Sequence, residues 1–388
     1  MVKKIIRNYV QNILVINVGS SSIKYAVYIY KKQLEKLQKV MEDNIQGLFH
    51  KEDHINALNK ILENLKSKGL WPDFIGHRVV HGDDMKKSRI VDADLLKKLK
   101  KITDLAPLHL IPEIRIIEEL EKTKIKQVAV FDTSFHSEMP EKARVYGIPY
   151  KYYKQGIKRY GFHGISYNYV SEYFNHSEKH RKIKCRTKCR MKYKKMIVCH
   201  LGNGCSLCAI ESGKSKDTTM GFTPLEGLIM GTRSGSIDPA IIPYLLEKGH
   251  NLEEVKKILN HDSGVLGISG STHHIGSLLK KKDVRSKLAI DVFCYNTAKH
   301  LGSMITALNG TEAIIFTAGI GENNPKIRSK IISNFQYIGA EIDESKNRKN
   351  MQDFHSVNSK IKLHTVKTDE EIVIAQEVLR ICKISRRL

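Results

Sequence analysis

The sequence predicts an α/β protein of two related half-folds facing one central cleft, and three observations carry that expectation. Residues 13–28, ILVINVGSSSIKYAVY, read as an apolar strand, a tight Gly/Ser turn and a second strand, and the pattern returns at residues 196–210 as MIVCHLGNGCSLCAI. Residues 312–324, EAIIFTAGIGENN, add a buried-type strand that runs into a double-glycine turn. Between these landmarks strands alternate with helical patterns, as in an α/β fold.

The elements can be justified in chain order. Strands are expected at residues 14–18 and 25–29, joined by a turn in which Gly19 lets the backbone approach a ligand closely. Ser20, Ser21 and Ser22 set hydroxyls beside outward N–H groups, and Lys24 adds a positive charge. Helical patterns follow at residues 95–101 and 112–122. The second turn, Gly202, Asn203 and Gly204 behind His200 and Leu201, offers a matching cradle for a polyphosphate. Gly319, Ile320, Gly321, Glu322 and Asn323 offer a third stretch of backbone against which a nucleotide can lie. Neither hairpin turn is a GxxxxGK[ST] or GxGxxG loop, and each leads into a strand where those motifs lead into a helix. Singly, either is an ordinary glycine hairpin. Together with the third loop they point to nucleotide phosphates.

Composition narrows the class. A chain of 388 residues with 41% hydrophobic content can bury two cores. No apolar run reaches the roughly 18 residues of a membrane span, and the basic start MVKKIIRNYVQN lacks the apolar stretch of a signal peptide, so a cytoplasmic, non-membrane enzyme is expected. Seven cysteines do not suggest a disulfide framework. Cys205 and Cys208, three apart on a strand, point to opposite faces and cannot chelate together, while Cys185 and Cys189 lie in a basic stretch with no second pair. The net charge of +24 comes from scattered lysines together with a concentrated run in a basic insertion, residues 179–195. Such a run could attract nucleic acid, but it carries few aromatics and no nucleic-acid motif, so a solvated loop is the simpler reading.

Further segments carry a resemblance: GHRVVHG at residues 76–82, LAPLH at 105–109, VFDTSFH at 130–136, YGFHG at 160–164 and MGFTPLEGLIMGTRSGSIDPA at 220–240. With the glycine loops, they make the chain similar to the acetate kinases, of the actin-like and sugar-kinase-like ATPase superfamily, over residues 13–376. The resemblance implies two duplicated actin-like (ribonuclease H-like) domains. Residues 13–135 with a returning helix at 371–388 would form the first, and residues 136–370, carrying the nucleotide loops, the second. It also implies reversible, direct in-line phosphoryl transfer between ATP and acetate, giving acetyl phosphate and ADP, with Mg2+ (or Mn2+) as cofactor and a homodimer as the assembly.

What the resemblance implies residue by residue agrees with the chemistry. An acetate carboxylate, with a pKa near the value of about 4.3 for Glu, is already ionised at neutral pH, so alignment and positive charge matter more than a general base. Arg78 and Arg233 match the family's active-site arginines, and guanidinium forks suit carboxylate and phosphoryl oxygens. His163 matches its transition-state stabiliser, His109 a second histidine, and Asp132 an acid that orients metal waters or a substrate proton. Asn17 and Glu370 match metal-site residues, enough for an ion that keeps several waters. Val80, Leu108, Phe162 and Pro224 match a pocket for the acyl methyl; one methylene changes binding by only about 1 to 3 kcal/mol, which leaves acetate and propionate both open.

The chain also departs from the family. His274 and Gly276 stand where an acid and an arginine are expected near the nucleoside, and Asp369 places an extra negative charge beside the metal residues. Propionate or butyrate as acceptor, pyrophosphate as donor, and a weakened homologue binding partners through its basic insertion are the competing readings.

Overall fold

The computed structural model describes residues 10–48, 50–175 and 192–383. Among these, residues up to Ser137 and from Asp369 onward form one compact unit, and Glu138–Thr368 form another.

In the first unit β1 (Val10–Val18), β2 (Ser22–Lys31) and β3 (Lys36–Gln46) make an antiparallel meander. With β4 (Phe74–Val79), β5 (Arg89–Ile90) and β6 (Lys126–Phe131) the sheet runs β3-β2-β1-β4-β6-β5, and β1, β4 and β6 are parallel. Ile13, Leu14, Val15 and Ile16 are all fully buried, so β1 is covered on both faces, as its unbroken apolar run requires. The longer helices of this unit are α1 (Lys51–Ser67), α2 (Ala93–Lys101) and α3 (Pro107–Glu121). On one face Leu14, Ile16 and Val18 pack with Leu58, Ile61 and Leu65 of α1 and with Ile116 and Leu120 of α3. The other face carries the C-terminal helix, Glu370–Ile381. A Cβ at Gly76 of β4 would stand 2.6 Å from Ile374 Cγ2 and 2.8 Å from Val378 Cγ2, so only glycine admits this packing.

Two expectations change here. The helix expected at residues 112–122 starts at Pro107, where a missing N–H goes unnoticed, and it continues through Pro112 because Leu110, Ile114 and Ile117 are buried on either side. Glu370, expected in the second domain, belongs to the first unit, because it opens the helix that packs on β4.

In the second unit β7 (Lys195–Leu201), β8 (Cys205–Glu211) and β9 (Lys214–Thr218) form an antiparallel meander. Parallel to β7 lies β10 (Ala313–Thr317), and parallel to β10 lies β11 (Lys362–Thr365), giving the order β11-β10-β7-β8-β9. Read from β9 to β11, this is the strand order and sense of β3-β2-β1-β4-β6 in the first sheet. Its helices include α4 (Gly164–Asn175), α5 (Val284–Leu308), α6 (Ala318–Asn323) and α7 (Pro325–Ile332). Helix α5 packs on β8 and β9; Asp283 caps it by accepting the Ser286 N–H at 2.8 Å, and Asn309 ends it with φ of 50°.

The expected glycine turn at Gly319–Asn323 is instead the short helix α6. Ala318 takes φ of 62°, redirecting the chain after Thr317, and the carbonyls of Gly321 and Glu322 both accept from Arg328 Nη1 at 2.8 Å. Cys205 and Cys208 lie on β8, fully buried, and burial pushes the Cys205 thiol up to about 12. Of the basic insertion, residues 179–191 lie outside the described residues, as do Cys185 and Cys189, and Lys195 already belongs to β7. Among the described residues no helix is long and apolar enough to cross a membrane.

Candidate active site

The sequence-predicted residues fall into two sets, one in each unit. In the first unit they gather at the carboxyl ends of three neighbouring parallel strands: Asn17 at the end of β1, Arg78 at the end of β4 and Asp132 just after β6. The register places Ile16 beside His77 and Arg78 beside Val130, and the Asp132 N–H donates to the Val79 carbonyl at 3.0 Å, so the three side chains leave the sheet at one level. Ligands of open α/β sheets bind at such strand ends.

Arg78 donates to Asp132 Oδ2 from Nη2 at 2.5 Å and from Nε at 3.1 Å, and to Asn17 Oδ1 from Nη1 at 3.3 Å. Burial alone would lower the Arg78 pKa, and the carboxylates of Asp132, Glu370 and Glu113 outweigh it and raise the value. Glu370 is pushed up by burial and by the neighbouring charge of Asp132, with Arg78 opposing. Asp132 is 1% exposed, and its Oδ1 has no hydrogen-bond partner among the described residues. An orphaned carboxylate oxygen, a second acid raised by its neighbour and the amide oxygen of Asn17 form an all-oxygen donor set. That chemistry fits a hard divalent cation completing its shell with water or phosphate.

The acids beside Glu370 are held by lysines. Asp369 Oδ1 accepts the Ile372 N–H at 3.0 Å and the Tyr28 hydroxyl at 3.1 Å, and its Oδ2 pairs with Lys39 at 3.0 Å. The extra charge expected from Asp369 is therefore paired. Lys24, expected at the phosphates, has its ammonium between Glu371 at 2.9 Å and Glu42 at 3.0 Å. Helix α3 brings a group that sequence reasoning missed: Glu113, 1% exposed, accepts the Val80 N–H at 3.1 and 3.3 Å. Burial pushes its carboxyl up to about 8, against the pull of Arg78 and the Val80 N–H. The available signal was an acid on the apolar face formed by Leu110, Ile114 and Ile117. Val80 is buried, Leu108 is 46% exposed on α3, and His109 sits in the first turn of the same helix.

In the second unit the turn between β7 and β8 closes with the Gly202 N–H donating to the Gly204 carbonyl at 3.0 Å. A Cβ at Gly204 would stand 3.3 Å from His163 Nε2 and 3.8 Å from Arg233 Nη1, so both candidate residues lie against this hairpin. A Cβ at Gly202 would be 3.5 Å from that of Ala318, which puts the start of α6 beside the same turn. His163 has φ of 57°, a conformation rare outside glycine and often retained at functional sites. Its ring stacks on His200 with centroids 4.1 Å apart, and the Nδ1 atoms of the two rings meet Ser206 Oγ at 2.8 Å and Ser166 Oγ at 2.9 Å. Arg233 Nη1 donates to the Pro224 carbonyl at 3.1 Å. Thr317 Oγ1 donates to Glu322 Oε1 at 3.3 Å and to the Val366 carbonyl at 2.6 Å, fixing the junction of β10 and α6. Phe162 is buried and Pro224 partly so. His274 is exposed and its ring tilts against His273 at 4.0 Å, while a Cβ on Gly276 would meet open space.

The family model described as the acetokinase family matches residues 12–376. A protein named acetate kinase from Acetivibrio thermocellus is 40% identical over 407 residues, covering 96% of this chain and 99% of its own. Another acetate kinase, from Carboxydothermus hydrogenoformans, is 41% identical over 401 residues, covering 95% of this chain and 98% of its own. A solved structure titled a propionate kinase from Francisella tularensis superposes with a TM-score of 0.82 at 37% identity, covering 96% of this chain and all of the other.

Proposed function

The chain belongs to the acetokinase family and is a phosphotransferase of the acetate-kinase type, and we propose how its residues divide that work. The repeated strand order of the two sheets supports two duplicated actin-like (ribonuclease H-like) domains. In this reading each residue set has its own share of the reaction. Gly202–Gly204 and Gly319–Asn323 take the nucleotide phosphates. Val80, Leu108, Phe162 and Pro224 take the acyl methyl, and His109 lines the same site. Asn17 and Glu370 would hold magnesium and Asp132 would orient its waters; the bound ion would supply charge neutralisation at the phosphate oxygens.

The chain's own groups do the rest. The Arg78 fork, stiffened by Asp132, aligns the acyl carboxylate, which at neutral pH needs no base. Arg233 and His163 meet the equatorial oxygens of the phosphoryl group in flight, where positive charge and N–H donors act on the transition state. The paired lysines Lys24 and Lys39 leave Glu370 as the acid of its trio turned to Asp132 and Arg78, so Lys24 supports the metal residues and not the phosphates. A homodimer is the assembly proposed with this reading.

The single observation that carries it is the convergence of His163 Nε2 and Arg233 Nη1 on Gly204. The test is acyl-hydroxamate formation by purified protein with Mg2+, crossing acetate, propionate and butyrate with ATP, GTP, ITP and pyrophosphate. Turnover of acetate with ATP is expected. Propionate preferred over acetate would favour the second reading, which the likeness to a propionate kinase structure supports, and silence across the panel would overturn both.

A further inference from the structure

The two stacked histidines of the second unit are each held at Nδ1 by a serine, and one of those serines, Ser206, has a tyrosine hydroxyl behind it. Ser206 is fully buried on β8, and its Oγ lies 2.8 Å from His163 Nδ1 and within a short hydrogen bond of the Tyr167 hydroxyl. Tyr167 sits one turn along α4 from His163 and is also fully buried.

We propose that Tyr167 and Ser206 are positioning residues: a two-hydroxyl relay that holds His163 as the neutral tautomer with its proton on Nε2, turned to the Gly202–Gly204 hairpin. The inference rests on the reading of His163 as a donor to the transferring phosphoryl group, and adds what orients that donor.

The argument is one of proton accounting. A hydroxyl has one proton to give and lone pairs to accept with. Burial pushes the Tyr167 phenol well above its ordinary pKa, so Tyr167 keeps its proton, and the relay has it donate that proton to Ser206 Oγ. The proton of Ser206 is then the one directed at His163 Nδ1, which must accept it, and a neutral imidazole accepting at Nδ1 carries its hydrogen on Nε2. Nε2 is the atom 3.3 Å from the position of a Cβ on Gly204, where an anionic oxygen cradled by the hairpin would lie. The His200 stack, with planes 20° apart, and the left-handed backbone at His163 hold the ring plane, and the serine sets its rotation about that plane.

The test uses the intact protein labelled with 15N-histidine. His163 is assigned among the 17 histidines by difference from His163→Gln. The relay requires a protonated Nε2 and an unprotonated Nδ1 in the wild type. It also requires kcat for acetate and ATP to fall about 10- to 100-fold in Ser206→Ala, the usual loss when an orienting partner is removed, with the nucleotide KM within about twofold. Tyr167→Phe, which deletes one oxygen, should lower kcat in the same direction by a smaller factor and carries the kinetic test if Ser206→Ala does not fold. A proton on Nδ1 in the wild type, or kcat within twofold of wild type in the folded Ser206→Ala protein, overturns the relay. Absence of any acyl-phosphate activity in the wild type would instead overturn the function assigned to His163, and the tautomer spectrum would still decide the relay.

Discussion

Arg78 and Asp132 are joined by two hydrogen bonds that converge on one carboxylate oxygen, Oδ2, and leave the other oxygen of Asp132 buried with no hydrogen-bond partner among the described residues. Asp132 can therefore serve two purposes in the proposed mechanism: Oδ2 aims the guanidinium, and Oδ1 is left for the proposed metal waters.

Removal of either arginine should abolish most turnover. Arg78→Ala and Arg233→Ala are each expected to lower kcat by about 10³- to 10⁵-fold, as when a phosphoryl-stabilising arginine is lost. Hydroxamate assays on variants shown by circular dichroism to be folded check this. A near-normal rate in either variant would break the mechanism.

Asn17→Ala and Glu370→Gln should weaken Mg2+ binding by at least about tenfold. The readout is a Mg2+ titration of nucleotide turnover. Unchanged half-saturation in both variants would take these residues out of the metal site.

Stability should depend on pH through Glu113. Its carboxyl rises from 4.5 to about 8 on folding, so between those values the folded protein binds more protons than the unfolded one. Stability from this group is therefore lost as pH rises from about 4.5 to about 8 and is level above. Glu113→Gln keeps an oxygen for the Val80 N–H and cannot ionise. Its Tm relative to wild type should climb across that window, since the similar shift of Glu370 is common to both proteins. Parallel Tm curves would refute the neutral carboxyl.

Gly76→Ala should cost about 1 to 3 kcal/mol, the usual penalty of overpacking, because the added methyl meets Ile374 and Val378. Urea unfolding measures it. A midpoint equal to wild type would show that the C-terminal helix is not seated on β4 as described.

Arg328→Met should destabilise the second unit by about 3 kcal/mol or more and raise the nucleotide KM. The buried guanidinium makes five hydrogen bonds, to Gly321, Glu322, Asn347 and Asn350, and two of them hold the end of α6. Thermal melts and ATP titration read the two effects. Wild-type KM would separate α6 from nucleotide binding.

Much of this was legible in the chain where the signal is local. The apolar runs at residues 13–18 and 196–201 marked β1 and β7, because a strand covered on both faces must be apolar throughout. The motifs carrying Arg78, Asp132, His163 and Arg233 were visible as strings of letters, although which oxygen or nitrogen each would meet was not. The helix α6 was misread as a turn because two glycines in five residues argue against a helix, and Arg328, beyond the segment, supplies what holds it.

By itself the sequence determined the α/β class, the recurrence of a strand, glycine turn and strand, and the family, since each is written in neighbouring residues. Only the tertiary structure decided the rest of the site. Tyr167 finds Ser206 across 39 positions, Glu113 finds the Val80 N–H across 33, and Lys24 is paired with a carboxylate on the C-terminal helix. The physical reason is common to all three: a buried polar group must find a partner, and folding, not sequence spacing, sets which partner comes within reach.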